Sequence, residues 1–148
     1  MILPIVAFGS PILRKKCVDI SLDYPELEML LENMKETMHK AHGVGLAAPQ
    51  INKAIRLFLI DTTPFLDDEE ETEEVIVKQT FINARILEEV GREWDFNEGC
   101  LSIPDVREDI SRKPIITIEY FDENFKKHTE TYDGLTARVI QHEYDHIQ

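Results

Sequence analysis

The sequence predicts an α+β fold. A helical stripe of apolar residues lies before residue 43, β-rich segments separated by turn residues fill the middle, and a second helical pattern closes the chain. At 148 residues the chain suits one domain with a real core. No linker, repeat or composition shift divides it, so a single domain over 1–148 is expected.

Residues 1–10, MILPIVAFGS, have no basic start before the apolar run and read as an extended segment, not a signal peptide. The first helix is expected over 23–42. Asp23 serves as its cap, Pro25 suits the first turn, and Glu26 falls three after the cap as in a capping box. Leu27, Leu30, Leu31, Met34, Met38 and Ala41 recur at helical spacing and form one buried stripe, and Gly43 stops the helix. Residues 55–60 read as a strand. Residues 75–83 read as its hairpin partner, with the loop between them at the tip. Residues 84–90, a turn at Gly91 and residues 92–96 suggest another pair, followed by an irregular stretch over 97–104. Residues 115–121 turn through 122–124 into 126–132. The last helix runs from about Gly134 to the end, capped by Asp133.

Charge narrows the function classes. Asp and Glu number 29 against 16 Lys and Arg, a net charge of −13. Seven of these acids fall within residues 67–74, which repel one another and have nothing apolar to bury; an exposed loop follows, and the rest of the chain carries only −6. Such a balance argues against a nucleic-acid surface and against docking on anionic membranes. No apolar run is long enough to span a bilayer. Two cysteines, Cys17 and Cys100, are too few for a disulfide scaffold, so a reducing, cytosolic setting is expected.

The sharpest chemical signal is HEYDH at 142–146. His142 and His146 are four apart, one turn of helix, so both imidazoles can reach one metal ion, while Glu143 beside them can reach a water on that ion. Leu135 and Val139 continue the stripe, which puts the ligands where the helix is buried. A chance HExxH on an ordinary helix would bury two histidines and a glutamate at a cost, without a partner. A catalytic site of this kind also needs a third protein ligand. His39, His42, Cys100, Cys17 and His128 are the candidates. An end-of-helix role suits His39 and His42. A lone cysteine in the position of Cys100 reads as a small buried hydrophobe, but not beside a two-histidine site that lacks a ligand. GVGLAAPQ at 43–50 contains Gly-x-Gly without the rest of a phosphate cradle. Its glycines allow close backbone approach, and Gln50 offers an amide after a fixed proline.

Together, GVGLAAPQ at 43–50, EGCLSIP at 98–104 and QHEYDH at 141–146 resemble the three signature motifs of the peptide deformylases, in the same order and spacing, and the resemblance covers most of the chain. It implies Cys100, His142 and His146 as metal ligands and Glu143 as general acid/base. Gln50, through its side chain, and Leu101, through its backbone N–H, would steady an oxyanion. Gly45 would contact the substrate backbone, and Val44, Leu135 and Val139 would help form a methionine pocket. The implied cofactor is one divalent metal ion, Fe(II) in the cell, with Zn(II) or Ni(II) accepted. The implied reaction removes the formyl group from the N-terminal formyl-methionine of newly made polypeptides and releases formate. The implied architecture is antiparallel sheets packed around a C-terminal metal-binding helix, with an N-terminal helix. The implied setting is the bacterial cytoplasm. The partners are N-formyl-methionyl nascent peptides, with transient ribosome contact, no sequence-specific nucleic acid and no membrane. Family members usually continue past the last ligand into a C-terminal extension that the sequence ending at Gln148 does not include, and ribosome docking through such an extension is left open. A zinc peptidase sharing only HExxH is disfavoured because no third His or Glu follows His146. A catalytically silent metal-binding relative is disfavoured because Glu143 and Gln50 are both retained.

Overall fold

A computed structural model of the chain describes residues 3–5, 16–21, 23–41, 43–62, 78–100 and 103–147; at 94–100, 103–111 and 135 the description is of the backbone. The elements run α1 (Leu27–Lys40), β1 (Gly45–Ala47), a 3-10 turn (Ala48–Ile51), β2 (Leu57–Asp61), β3 (Lys78–Val90), β4 (Trp94–Cys100), β5 (Ile103–Arg112), β6 (Ile115–Phe121), β7 (Lys127–Asp133) and α2 (Gly134–Ile147). Five strands form one antiparallel sheet in the order β1-β2-β3-β6-β7, and β4 pairs only with β5 in a separate two-stranded ribbon. This is the expected α+β fold with a C-terminal helix. Among the described residues no helix is long and apolar enough to cross a membrane.

β2 explains the layering. Every residue of LFLID is buried, as a strand must be when both of its faces are covered. Successive side chains point to opposite faces. Leu57 and Leu59 join Leu46 and the α1 residues Leu31, Met34 and Met38 in one cluster. Phe58 and Ile60 join Phe81, Ile116, Ile118, Tyr120 and the α2 residues Ala137, Ile140, Tyr144 and Ile147 in the other. The sheet is therefore the middle layer, with one helix on each face. β6 shows the same logic in alternating form, with Ile116, Ile118 and Tyr120 buried and their neighbours half-buried.

Four expectations change. The first helix begins at Leu27, not Asp23. Residues 23–26 form a turn, Glu26 has φ 56° in the left-handed region, and no side chain caps the helix. Asp23 accepts the Ser21 hydroxyl instead. Pro25 disfavours a helical conformation at Tyr24, which delays the start. Leu27, Leu31, Met34 and Met38 are buried as expected, whereas Leu30 and Ala41 are only half-buried.

The hairpin of 55–60 with 75–83 appears as β2 paired with β3, from Leu57↔Ile82 to Asp61↔Lys78; the acidic stretch 67–74 lies outside the described residues. However, 75–83 and 84–90 are not separate pieces. β3 is one strand bent by register shifts, one of them at Asn83, which has φ 54° and exchanges side-chain hydrogen bonds with both the N–H and the carbonyl of Ile20.

The pairing of 84–90 with 92–96 does not form. The far end of β3 pairs with β6 (Val90↔Ile115), and the chain leaves the sheet at Gly91 and returns at Pro114. Gly91 has φ 102°, and a Cβ there would lie 2.6 Å from the Pro114 ring. The excursion between them is the β4–β5 ribbon. Residues 97–104, expected to be irregular, are mostly the end of β4 and the start of β5, with a register break between Gly99 and Cys100.

Phe81 holds the α2-side layer together. Its ring is fully buried, stacked on Phe58 at 4.8 Å between centroids and tilted against Tyr120 at 4.4 Å. Replacing Phe81 with Ala is expected to cost about 3–5 kcal/mol of stability. Urea denaturation should show a large fall in midpoint, and an unchanged midpoint would contradict this packing.

Candidate metal centre

The innermost stripe of α2 is Ala137, Ile140, Tyr144 and Ile147, spaced by three and four and sealed against the sheet. His142 and His146 lie on the flank of that stripe. Both are half-buried, so the histidines are not on the deepest face, as the sequence had suggested, but beside it. Their rings are 5.4 Å apart between centroids and inclined at 70°. Two imidazoles one turn apart, packed in the fold yet still reachable, are a donor pair that suits a divalent transition metal. The residues present fit such an ion.

Glu143 is 4% exposed on the side of α2 that faces β1. Register explains what lies opposite. Gly45 pairs with Ile60, and Ile60 points toward α2, so a side chain at 45 would point there too. A Cβ on Gly45 would lie 2.7 Å from both Cγ and Oε2 of Glu143. Only glycine lets this strand run against the carboxylate. β1 is the terminal strand in the sheet order, so among the described strands none pairs with its outer edge. The backbone there passes directly over Glu143.

The other expected residues fall around this point. Val44, half-buried, packs against the α2-side cluster, and its carbonyl accepts the Asp61 N–H at 2.8 Å. Val139 is 5% exposed in the same cluster. Gln50, 1% exposed, is the third residue of the 3-10 turn that follows β1. Its Oε1 accepts the Ala47 N–H at 2.9 Å, which fixes the amide with its N–H2 end turned the other way. Cys100 is the last residue of β4, across the register break from Ile103. Its side chain, that of Leu135, and all of Leu101 lie outside the described residues.

Among the described side chains no group of three His, Cys, Asp or Glu gathers. Three of the alternative third ligands are engaged elsewhere. His39 Nε2 meets Asp61 Oδ2 at 2.8 Å, and His128 Nε2 meets Asp122 Oδ2 at 2.7 Å. The Cys17 thiol points at the His146 backbone carbonyl at 3.9 Å, and burial pushes its pKa up, so it stays a thiol. His42 lies outside the described residues.

Two ties join α2 to the root of the β4–β5 ribbon. Gln141 Nε2 donates to the Lys113 carbonyl at 2.9 Å, and Arg112 pairs with Asp145 at 2.8 Å. They connect the helix that carries the histidines to the ribbon that carries Cys100. Sequence reading gave these four residues no role; the one local signal was that Gln141 and Asp145 lie inside the HEYDH motif or next to it.

Comparison with known proteins places this arrangement among relatives. The family model for polypeptide deformylase matches residues 2–148. A peptide deformylase of Christiangramia forsetii is 61% identical over 153 aligned residues, covering all of this chain and 78% of that protein. The crystal structure of the peptide deformylase of Thermotoga maritima superposes with a TM-score of 0.85 at 34% identity, covering 99% of this chain and 92% of that one. That of Synechococcus elongatus, in complex with actinonin, superposes with a TM-score of 0.87 at 36% identity, over 98% of this chain and 75% of that one.

The contact at Gly45 is directly testable. Gly45→Ala must displace a buried carboxylate or the strand, an overpacking cost of about 1–3 kcal/mol. Thermal unfolding should report a lower midpoint, and a variant as stable as the parent would show that the strand does not run this close.

Proposed function

The chain belongs to the polypeptide deformylase family, and on that premise we propose that it hydrolyses the formyl group from the N-terminal formyl-methionine of nascent polypeptides, as one catalytic domain in the bacterial cytoplasm. The observation that carries the reading is the juxtaposition of three features at one place: a buried carboxylate, two imidazoles one helical turn apart, and an edge strand reduced to glycine where it passes over the carboxylate.

His142 and His146, with Cys100, would hold one divalent ion, Fe(II) in the cell and Zn(II) or Ni(II) as substitutes; a thiolate and two imidazoles suit all three. Such an ion supplies a water acidified toward neutrality. Glu143 would take one proton from the attacking water, whose oxygen joins the formyl carbon, and would return a proton to the departing amine nitrogen. The carbon–nitrogen bond breaks, leaving formate and a free N-terminal methionine. The Gln50 amide and the Leu101 N–H donate to the oxygen that gains negative charge, and one such donor is worth about 3 kcal/mol in the transition state. Gln50 is suited to this because its oxygen end is already committed to Ala47.

Gly45 offers its backbone to the substrate backbone along the outer edge of β1. Val44, Val139 and Leu135 give the methionine side chain an apolar wall. A formyl carbon bears only hydrogen beyond its carbonyl, so a tight site rejects acetyl groups by size. With a charge of −6 outside the acidic stretch, the chain has no broad grip on ribosomal RNA. Contact with the ribosome is accordingly local and transient.

Glu143→Ala should keep its metal by elemental analysis while losing about 10²–10⁴ of its rate on formyl-Met-Ala-Ser, the usual worth of a general acid/base. Full activity in that variant would sink the assignment. Cys100→Ser should weaken Fe(II) binding in anaerobic titration, and unchanged metal content together with unchanged activity would remove Cys100 from the ligand set.

A further inference from the structure

Arg56 is a buried cation just before β2, 9% exposed, with partners on α2, on β3 and in the segment before α1. Nη1 donates to the Ile147 carbonyl at 3.0 Å, and Nη2 donates to the Ala84 carbonyl in β3 at 2.6 Å. Its guanidinium carbon lies 5.6 Å from the centre of the Tyr144 ring. Nε is 3.6 Å from Asp19, which Arg85 also holds. Beside it the Cys17 thiol meets the His146 carbonyl.

In the last described turn of α2 the carbonyls of His146 and Ile147 are met by side chains from outside the helix, Cys17 and Arg56, so this turn is tied to the residues beside the sheet. The guanidinium is planar and its two donors are fixed relative to each other. Gripping Ala84 and Ile147 together, it sets the distance between the bend of β3 and the last turn of α2. Tyr144, Ile147 and Ala84 are all in the α2-side core, so the grip is continuous with close-packed surroundings.

His146 hangs from that turn. We propose that Arg56 is a positioning residue for the metal centre: by holding the Ile147 carbonyl it keeps the last turn of α2 wound, and so keeps His146 facing the same point as His142. The inference rests on the reading of the two histidines as metal ligands. It assigns Arg56 no contact with substrate or metal.

The test is a Zn(II) dissociation constant for the full chain, measured by chelator competition on metal-free protein. The set comprises the wild type, Arg56→Met, Arg56→Lys, His146→Ala and the Arg56→Met/His146→Ala double variant. Loss of a residue that orients a ligand costs about 10–100-fold in metal affinity, and Arg56→Met should fall in that range. Arg56→Lys should lie between it and the wild type, since an ammonium can meet one carbonyl but not hold both in a fixed fork. With His146 already gone, removing Arg56 should cost nothing further. Wild-type affinity in Arg56→Met, or the same loss with and without His146, overturns the proposal and leaves Arg56 as a general stabiliser. If circular dichroism shows Arg56→Met unfolded, Arg56→Lys decides: wild-type affinity at a lowered melting point overturns the proposal, and weakened affinity supports it. A wild type that binds no Zn(II), or a His146→Ala variant that binds as tightly as the wild type, overturns the metal reading itself and the proposal with it.

Discussion

At the crossing of α2 and β1, Glu143 is 4% exposed, and the backbone of Gly45 runs so close that a methyl group would lie 2.7 Å from its carboxylate. Burying a carboxylate is costly unless the surroundings are fixed and polar, so everything that supports this crossing has to be rigid. β2 supplies the rigidity. It is buried on both faces, its register places Gly45 opposite Ile60, and its alternate side chains lock into two separate clusters under α1 and α2. The sheet is thus a middle layer, packed through alternate side chains of β2 against a helix on each face.

The two ends of β2 serve different parts of the centre. At the far end, Asp61 donates its N–H to Val44 and its carboxylate meets His39, which holds the loop entering β1. At the near end, Arg56 reaches the last turn of α2. Gln141 and Asp145 then tie α2 to the root of the β4–β5 ribbon, whose first strand ends at Cys100. The three stretches proposed to carry the chemistry are distant in sequence, and β2 and α2 link the parts of them that the structure describes.

Legibility followed locality. The helical stripe of α1, the strands at 115–121 and 126–132, and the helix carrying HEYDH repeat at short spacing, and each formed close to its expected place. The spacing in HEYDH marked a candidate metal-ligand pair, whereas 43–50 read alone as a tight turn and took its proposed role only from the resemblance to the deformylases. What could not be read depends on partners far along the chain. The delayed start of α1 is the local exception, set by Pro25 acting on Tyr24 and accompanied by a left-handed Glu26. The departure of β4 from the sheet is set by Gly91 meeting Pro114, 23 residues on, and by β6 taking the place beside β3 that 92–96 had been expected to fill. The histidines lie on the flank of α2 because Ile140 and Tyr144 compete better for the core. Arg56 looked like an ordinary strand residue, since its acceptors are backbone carbonyls at Ala84 and Ile147 that carry no side-chain signature.

Formate release distinguishes a deformylase from a peptidase directly. Protein purified without oxygen, with its metal content determined, is mixed with formyl-Met-Ala-Ser and, separately, with acetyl-Met-Ala-Ser. One formate and one free amine should appear per formyl peptide consumed, with the acetyl peptide left intact. Metal-loaded protein that releases no formate, or that cleaves an internal peptide bond instead, would contradict the deformylase reading.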